Sequence, residues 1–157
     1  MNCVGNENNT EPTFEICNNC SPCKSINKGN FLDVIEVDAA SRTGVDGIRE
    51  IIDAVMYSPN NARFKVYIID EVHMLSNAAF NALLKTLEEP PENVKFIFAT
   101  TEIKKIPATI ISRCQRFDLQ RVDIDTLRTH LSKICESENI KFENDSLFQI
   151  CKASEGS

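Results

Sequence analysis

Short apolar runs that end in polar residues indicate a parallel β-sheet. The clearest run begins at Lys65, after a turn-like Ser-Pro-Asn-Asn segment, and ends at the acids Asp70 and Glu71. The run is too short for a helix. Its β-branched and aromatic residues are typical of a strand buried on both faces of a parallel sheet. Further strands are predicted over residues 31–38, 95–101 and 115–119.

Helices are predicted between these strands. A stripe of apolar residues at steps of three and four predicts a helix that packs on the sheet, through Val45, Ile48, Ile52 and Val55. Ser76 is suited to cap a second helix, which ends at Glu88 before two prolines. The buried side of that helix is predicted to comprise Phe80, Leu83, Leu84 and Leu87. A short helix is expected over residues 106–114, with Pro107 in its first turn.

Two amphipathic patterns near the C-terminus predict a further helical region. Their apolar positions are Leu127, Leu131 and Ile134 in one helix and Leu147, Ile150 and Cys151 in the next. The polar, Asn-rich N-terminus is predicted to be a loop that is ordered only if something fixes it. We therefore expect a polar segment with a cysteine module over residues 1–24, an α/β domain over 25–121 and the start of a helical domain over 122–157.

The composition fits a globular chain and limits its partners. A chain of 157 residues with 42% hydrophobic residues can form one core. Its net charge of −6 argues against a broad basic face for nucleic acid, so any DNA contact should be local. The sequence has no apolar run of membrane-spanning length and no signal pattern, which predicts a cytoplasmic protein without a membrane partner.

Four of the seven cysteines have the spacing of metal ligands. Cys3, Cys17, Cys20 and Cys23 form the pattern C-x₁₃-C-x₂-C-x₂-C. Four thiolates can close a tetrahedral Zn²⁺ site with no position left for a substrate, and a reducing compartment favours metal binding over disulfides. Free structural cysteines are the alternative interpretation. Cys3 has the longest and most variable spacing.

The acids that end the central strand are candidates for phosphate chemistry. Ligands of open α/β sheets bind at the carboxyl ends of the strands, where Asp70 and Glu71 are predicted to lie. In such sites a first acid holds Mg²⁺ and a second orients the attacking water. The alternative is that both acids only end a strand and solvate a turn.

Longer motifs in the sequence resemble a known family. These are Asp-Glu-Val-His-Met-Leu-Ser at residues 70–76, the helical segment at residues 80–91 and Ser-Arg-Cys at residues 112–114. Together they closely resemble the gamma/tau subunits of the bacterial DNA polymerase III clamp loader, which are AAA+ ATPases. The resemblance extends from about Cys17 to the C-terminus. It implies a partial AAA+ P-loop NTPase-type fold with a zinc module and the beginning of a helical lid domain.

The resemblance also implies roles for individual residues. Thr100 and Thr101 match the position that senses the γ-phosphate or its attacking water. Arg113 matches an arginine finger that acts on the nucleotide of a neighbouring subunit, in trans. Residues in segments that resemble the DNA-facing part of the family are Arg42, Lys85 and Thr109. The alternative for Arg42 and Lys85 is that each is an ordinary solvated side chain.

No phosphate-binding loop of the form G-x-x-x-x-G-K-[ST] occurs, and the sequence has only five glycines. We therefore expect this chain to be a fragment whose phosphate loop and neighbouring strand precede it, and to be inactive alone. In the family that strand lies between the strands at Lys95 and Gln115, so pairing of these two is in doubt. The expected cofactors are Zn²⁺ here and Mg²⁺ with ATP in the complete protein.

Three functions are compatible with these patterns. The first is an ATPase subunit that, with other clamp-loader subunits, loads the sliding clamp on primed DNA. The second is a non-hydrolysing clamp-loader subunit of the delta-prime kind, which the intact Asp70-Glu71 pair disfavours. The third is a zinc-stabilised binding module without catalysis, which the Ser-Arg-Cys motif disfavours.

Overall fold

Three parallel strands form the sheet on which the rest of the fold is built. The computed structural model describes residues 1–5, 11–41 and 45–156. The strands are β1 (Val34–Asp38), β2 (Lys65–Asp70) and β3 (Val94–Phe98), and they lie side by side in this order. Parallel pairing sets Asp38 opposite Asp70 and Ile69 opposite Phe98. The carboxyl ends of all three strands therefore meet at one end of the sheet.

Helices connect and follow the strands. In the part of the chain that the structure describes they are α1 (Ser21–Asn27), α2 (Val45–Val55), α3 (Asn77–Glu88), α4 (Ala108–Ile111), α5 (Ile124–Ser137) and α6 (Asn144–Ser154). Two short 3₁₀ turns cover Val72–Met74 and Ile103–Lys105. None of these helices is long and apolar enough to cross a membrane.

The core lies between the sheet and the helices α2 and α3. Tyr67 and Ile69 of β2 are fully buried, and the ring of Tyr67 stacks on Phe96 of β3 at a centroid distance of 5.5 Å. From α3, Phe80 and Leu83 enter this core, as the sequence predicted. The Ser76 hydroxyl caps α3 by accepting a hydrogen bond from the backbone N–H of Ala79 at 3.2 Å. Together, these observations confirm the predicted α/β fold with a parallel sheet.

The predicted stripe on α2 packs against the core but omits one buried residue, Ile51. Ile48, Ile51 and Val55 are buried, whereas Ile52 is only half-buried at the border of the core. Both choices satisfy steps of three and four residues, because either Ile51 or Ile52 divides the seven-residue interval between Ile48 and Val55. Only the packing on the sheet distinguishes them.

Residues 115–119 do not form the predicted strand. They are exposed and have no regular structure. A strand exists through hydrogen bonds to a neighbouring strand. In the described part of the chain, no strand pairs with β3 on the side away from β2. An alternation of apolar residues without a partner strand therefore leaves this segment irregular.

The first strand also begins later than predicted, at Val34. Asp33 has another role, since its carboxylate accepts hydrogen bonds from the backbone N–H groups of Asn60, Asn61 and Ala62 at 2.8 to 3.0 Å. This buried acid fixes the loop that leads into β2.

The chain divides into two compact units, Met1–Gln115 and Arg116–Ser157. The three-part division expected from the sequence stays a prediction. In the second unit α5 and α6 contact each other, and the buried residues are Leu147 and Cys151 of α6. Ile134 and Ile150, two of the predicted apolar positions, are exposed. Two helices alone cover only one side of each other, so part of each apolar stripe stays open to solvent.

Candidate functional site

Asp70 is the last residue of β2, at the strand end where the sequence placed it, and its side chain is exposed. Its backbone carbonyl accepts a hydrogen bond from Ala39 at 2.9 Å, which ties the end of β1 to the end of β2. Its Oδ1 accepts the backbone N–H of Glu71 at 2.8 Å. The carboxylate is therefore fixed in direction while it remains exposed. An exposed, oriented carboxylate of this kind can hold a divalent cation.

Glu71 has a left-handed backbone conformation with φ of 46° and ψ of 42°. A non-glycine residue in this region costs on the order of 1–3 kcal/mol and persists only when its surroundings enforce it. Here the following N–H, that of Val72, donates to Ala99 at the end of β3 at 3.0 Å. The strained turn directs the Glu71 side chain along the strand ends and toward the residues that follow β3.

The two threonines after β3 lie beside this acid. The Thr101 hydroxyl donates to Glu71 Oε2 at 3.3 Å. The Thr100 hydroxyl lies 3.0 Å from Nδ1 of His73 and accepts the backbone N–H of Glu102 at 3.0 Å. The structure therefore brings together four residues that were predicted separately, on two strands.

Sequence reasoning missed two members of the cluster, His73 and Glu102. The His73 side chain is only 8% exposed and places Nδ1 3.2 Å from Glu71 Oε2 and Nε2 3.5 Å from Glu102 Oε1. The hydrogen bond from Lys105, at 2.7 Å, lowers the pKa of the Glu102 carboxyl. The only signal in the sequence was that His73 stands three residues after Asp70, between apolar residues.

Arg113 does not join this cluster. In the described residues its guanidinium contacts Glu88 Oε1 at 2.5 Å and the carbonyl of Thr109 at 2.7 Å. Both partners belong to the same unit as Arg113, Met1–Gln115. Lys85 on α3 and Thr109 on α4 are exposed. Arg42, the third predicted DNA contact, lies outside the described residues.

The four predicted cysteine ligands form a second cluster. The sulfurs of Cys3, Cys17, Cys20 and Cys23 all lie within 4.8 Å of one another. In a tetrahedral site with Zn–S bonds of about 2.3 Å, neighbouring sulfurs are about 3.8 Å apart, so the spacing suits a metal ion. Of the four residues, Cys3 and Cys23 are buried. This donor set can hold a metal.

The protein around the sulfurs influences how readily they lose their protons. Backbone hydrogen bonds lower the pKa of three of the thiols. The largest effect on Cys3 comes from the backbone N–H of Cys17, on Cys17 from that of Cys20, and on Cys20 from that of Cys23. Burial raises the pKa of the Cys23 thiol to about 12. Metal ligands must be thiolates, so a bound cation would have to displace a proton from Cys23.

The N-terminal residues are fixed to the segment that precedes β2. The buried side chain of Asn2 donates to the carbonyl of Phe64 at 2.9 Å and accepts the N–H of Phe64 at 3.0 Å. The guanidinium of Arg63 donates to the carbonyl of Cys3. The N-terminal loop was predicted to be ordered only if something fixed it, and these contacts fix residues 2 and 3.

Comparison with known proteins identifies relatives of this chain. The family described as "DNA polymerase III, delta subunit" matches residues 1–123. "DNA polymerase III subunit tau/gamma" of Haemophilus influenzae is 56% identical over 141 residues, which cover 90% of this chain and 20% of the relative. "DNA polymerase III subunit tau" of Bacillus subtilis is 56% identical and covers 92% of this chain and 26% of the relative. "DNA polymerase III subunit gamma" of Buchnera aphidicola from Acyrthosiphon pisum is 54% identical, with 92% and 40% covered.

Solved structures agree with these relatives. A gamma subunit-related protein of DNA polymerase III from Thermotoga maritima has a TM-score of 0.57 and 28% identity, and the match covers 75% of this chain and 42% of that one. RuvB of Thermotoga maritima has a TM-score of 0.64 at 17% identity, with 79% and 41% covered, which shows a shared fold. This chain spans between a fifth and two fifths of the length of the three relatives above.

Proposed function

Because the chain belongs to the DNA polymerase III gamma/tau family, we propose that the protein carrying it is an ATP-hydrolysing clamp-loader subunit. The observation that carries the proposal is the cluster at the strand ends. Asp70 at the end of β2 and Glu71 directly after it lie beside Thr100 and Thr101, which follow β3, and Thr101 contacts Glu71 directly. This is the set of acceptors and hydroxyls that phosphoryl transfer uses.

Each residue then has a distinct task. Asp70, exposed and oriented, would hold Mg²⁺. Glu71 accepts a hydrogen bond from a water molecule and orients it for attack, while Thr101 limits the movement of its carboxylate. When bound, ATP supplies the phosphoryl group, and Mg²⁺ neutralises the charge on the phosphate oxygens. The chain contains no G-x-x-x-x-G-K-[ST] motif, and the proposal assigns binding of the phosphates to other residues of the full-length protein.

The position of Arg113 supports a role in assembly. Among the described residues its guanidinium contacts Glu88, the Thr109 carbonyl and the Ser112 hydroxyl, and none of these is Asp70 or Glu71. An arginine placed there can act on the nucleotide of an adjacent subunit. The proposal therefore includes a hetero-oligomer of clamp-loader subunits, with the sliding clamp and primed DNA as partners and local DNA contacts from Arg42, Lys85 and Thr109.

The cysteine cluster has a separate, structural task in this proposal. Four thiolates from Cys3, Cys17, Cys20 and Cys23 would hold one Zn²⁺ and leave no coordination position for a substrate. Thiols that remain reduced for this purpose are typical of the cytoplasm. The zinc module would thus order the N-terminus without taking part in hydrolysis.

The substitution Glu71→Gln in the full-length protein, assembled with its partner subunits, tests the proposal. We expect ATP hydrolysis to fall by a factor on the order of 10² while ATP binding is retained, since glutamine fills the same space without the charge. Glu92→Gln, an exposed glutamate before β3, is the matched control and should leave hydrolysis unchanged. A Glu71→Gln protein with normal hydrolysis would exclude the proposed role.

The same experiment tests the two other functions. The match to a family described as "DNA polymerase III, delta subunit" favours testing a non-hydrolysing subunit of the delta-prime kind. If the protein were such a subunit, the full-length protein would not bind ATP. A zinc-stabilised binding module would form no complex with clamp-loader subunits. Either result would replace the proposal.

A further inference from the structure

We propose that His73 is a positioning residue that holds the Glu71 carboxylate in the orientation needed for hydrolysis and connects it to the threonines after β3. This inference rests on the proposed function of Glu71. His73 itself would contact neither the nucleotide nor the attacking water. It would act only through Glu71.

The burial of His73 is the first observation behind this role. Its side chain is 8% exposed, whereas the side chains of Glu71 and Glu102, which it contacts, are 38% and 49% exposed. The ring stands on the 3₁₀ turn Val72–Met74, directly after the strained residue Glu71. A buried ring on a short, hydrogen-bonded turn has little freedom, so it can fix the more exposed carboxylates beside it.

The distribution of contacts on Glu71 is the second observation. His73 Nδ1 at 3.2 Å and the Thr101 hydroxyl at 3.3 Å both approach the same oxygen, Oε2. Among the described residues no hydrogen bond to Oε1 is formed. Fixing one oxygen from two sides orients the carboxylate and leaves Oε1 available to accept a hydrogen bond from water.

The third observation is that Nδ1 serves two neighbours. It lies 3.0 Å from the Thr100 hydroxyl and 3.2 Å from Glu71 Oε2. The contact with Thr100 has the geometry of a hydrogen bond, whereas Glu71 Oε2 lies beside Nδ1 at ion-pair distance. A ligand that engages the Thr100 hydroxyl therefore changes how firmly His73 holds Glu71, and the occupancy of the strand ends is transmitted to the acid.

The other ring nitrogen permits a sharp test, because it has a different partner. Nε2 faces Glu102 Oε1 at 3.5 Å. The amide nitrogen of asparagine is as many bonds from Cα as Nδ1, and that of glutamine as many as Nε2. His73→Asn therefore retains a donor toward Glu71, and His73→Gln retains one toward Glu102. His73→Ala removes both.

The experiment measures kcat and KM for ATP in the full-length protein within its assembled complex. We expect His73→Ala and His73→Gln to lower kcat by about tenfold or more with KM within about twofold, because misplacement of a catalytic group reduces the rate rather than binding. His73→Asn should keep kcat within about threefold of the unsubstituted protein. His130→Ala, on α5, controls for loss of a histidine elsewhere and should leave both constants unchanged.

The outcomes separate this inference from the proposed function. If the unsubstituted complex hydrolyses ATP and Glu71→Gln abolishes this, but the asparagine and glutamine variants have equal kcat, His73 has no positioning role through Nδ1. A change in KM alone would also overturn the inference. If Glu71→Gln has no effect, the proposed function fails, and the role of His73 fails with it. Should His73→Ala not fold, the comparison of asparagine with glutamine still decides.

Discussion

The cysteine cluster and the cluster at the strand ends are assembled in different ways. All four cysteines come from the first 23 residues, and their sulfurs meet through a loop and one short helix. The strand-end cluster joins Asp70 of β2 to residues as far along the chain as Lys105, and the register of β2 with β3 brings them together. The first cluster depends on spacing along the chain and the second on the sheet.

The two clusters also differ in what they supply. Four thiolates satisfy a tetrahedral metal, so the cysteine cluster is complete. The strand-end cluster offers acids and hydroxyls, which in the proposed function act together with phosphate-binding residues outside the cluster. A site made of local residues can be self-sufficient, whereas a site made by a sheet becomes complete only with the elements that surround it.

Substitution of two cysteines of the cluster is the strongest test of this difference. We expect about one equivalent of zinc in protein made with zinc present and less than about a tenth in the double variant Cys20→Ser/Cys23→Ser. Elemental analysis measures the metal, and limited proteolysis should show residues 1–24 cleaved in the variant. Cys114→Ser, an exposed cysteine outside the cluster, should retain the metal. Metal-free protein with all cysteines present would contradict the zinc assignment.

Arg113 tests whether the strand-end cluster is completed from outside its own subunit. We expect Arg113→Ala to leave folding and ATP binding nearly intact in the full-length protein and to lower hydrolysis in the complex by a factor on the order of 10². The loss should occur at the neighbouring subunit's site, whereas Glu71→Gln acts at its own. Complexes mixed from the two variants distinguish these cases. Unfolding by Arg113→Ala, or a loss at its own site, would exclude a finger in trans.

A smaller effect, on the stability of the fold, is expected from substitution of Asp33. This acid lies at the amino end of the strands, whereas Asp70 lies at their carboxyl end. Burial alone would raise the pKa of Asp33, but hydrogen bonds from Asn60, Asn61 and Ala62 outweigh it and lower the pKa. The stabilisation is therefore present above the unfolded pKa of about 3.9 and is lost as the pH falls through the lower folded value.

Asp33→Asn should therefore reduce the free energy of unfolding at pH 7 by about 1–3 kcal/mol. The variant should also lose less stability than the unsubstituted protein when the pH falls below about 4. Urea unfolding of the two proteins at pH 7 and at acidic pH measures both effects. Asp46→Asn, an exposed acid on α2, is the control. Equal stability of Asp33→Asn at pH 7 would show that the loop does not depend on the charge.

Much of the strand-end site follows from the sequence, because strand ends and their acids are set by local pattern. Asp70 and Glu71 end a strand as predicted, and Thr100 and Thr101 lie beside them. His73 and Glu102 were not predicted, since their contacts depend on the sheet register and on two 3₁₀ turns. The irregular residues 115–119 were mistaken for a strand because periodicity describes a surface and gives no information on whether a partner strand is present.

The N-terminal attachment was equally invisible in the sequence. Asn2 pairs with a backbone group 62 residues away, and a single asparagine in a polar segment carries no sign of such a partner. The cysteine spacing, in contrast, predicted the full cluster, since four ligands within one short segment leave few other arrangements. Contacts that are distant in sequence and polar in chemistry are the ones that pattern alone misses.

The pairing of Asn2 with Phe64 has a consequence for the order in which the chain folds. Its two hydrogen bonds imitate those of a neighbouring strand, but they close a loop of 62 residues. Closing a long loop costs entropy that only contacts already formed can repay, so distant pairings tend to form late. The cysteine segment can gather its sulfurs early and alone, and its attachment then waits for the entry to β2 to be in place. The first residues of this chain are thus among the last to reach their final position.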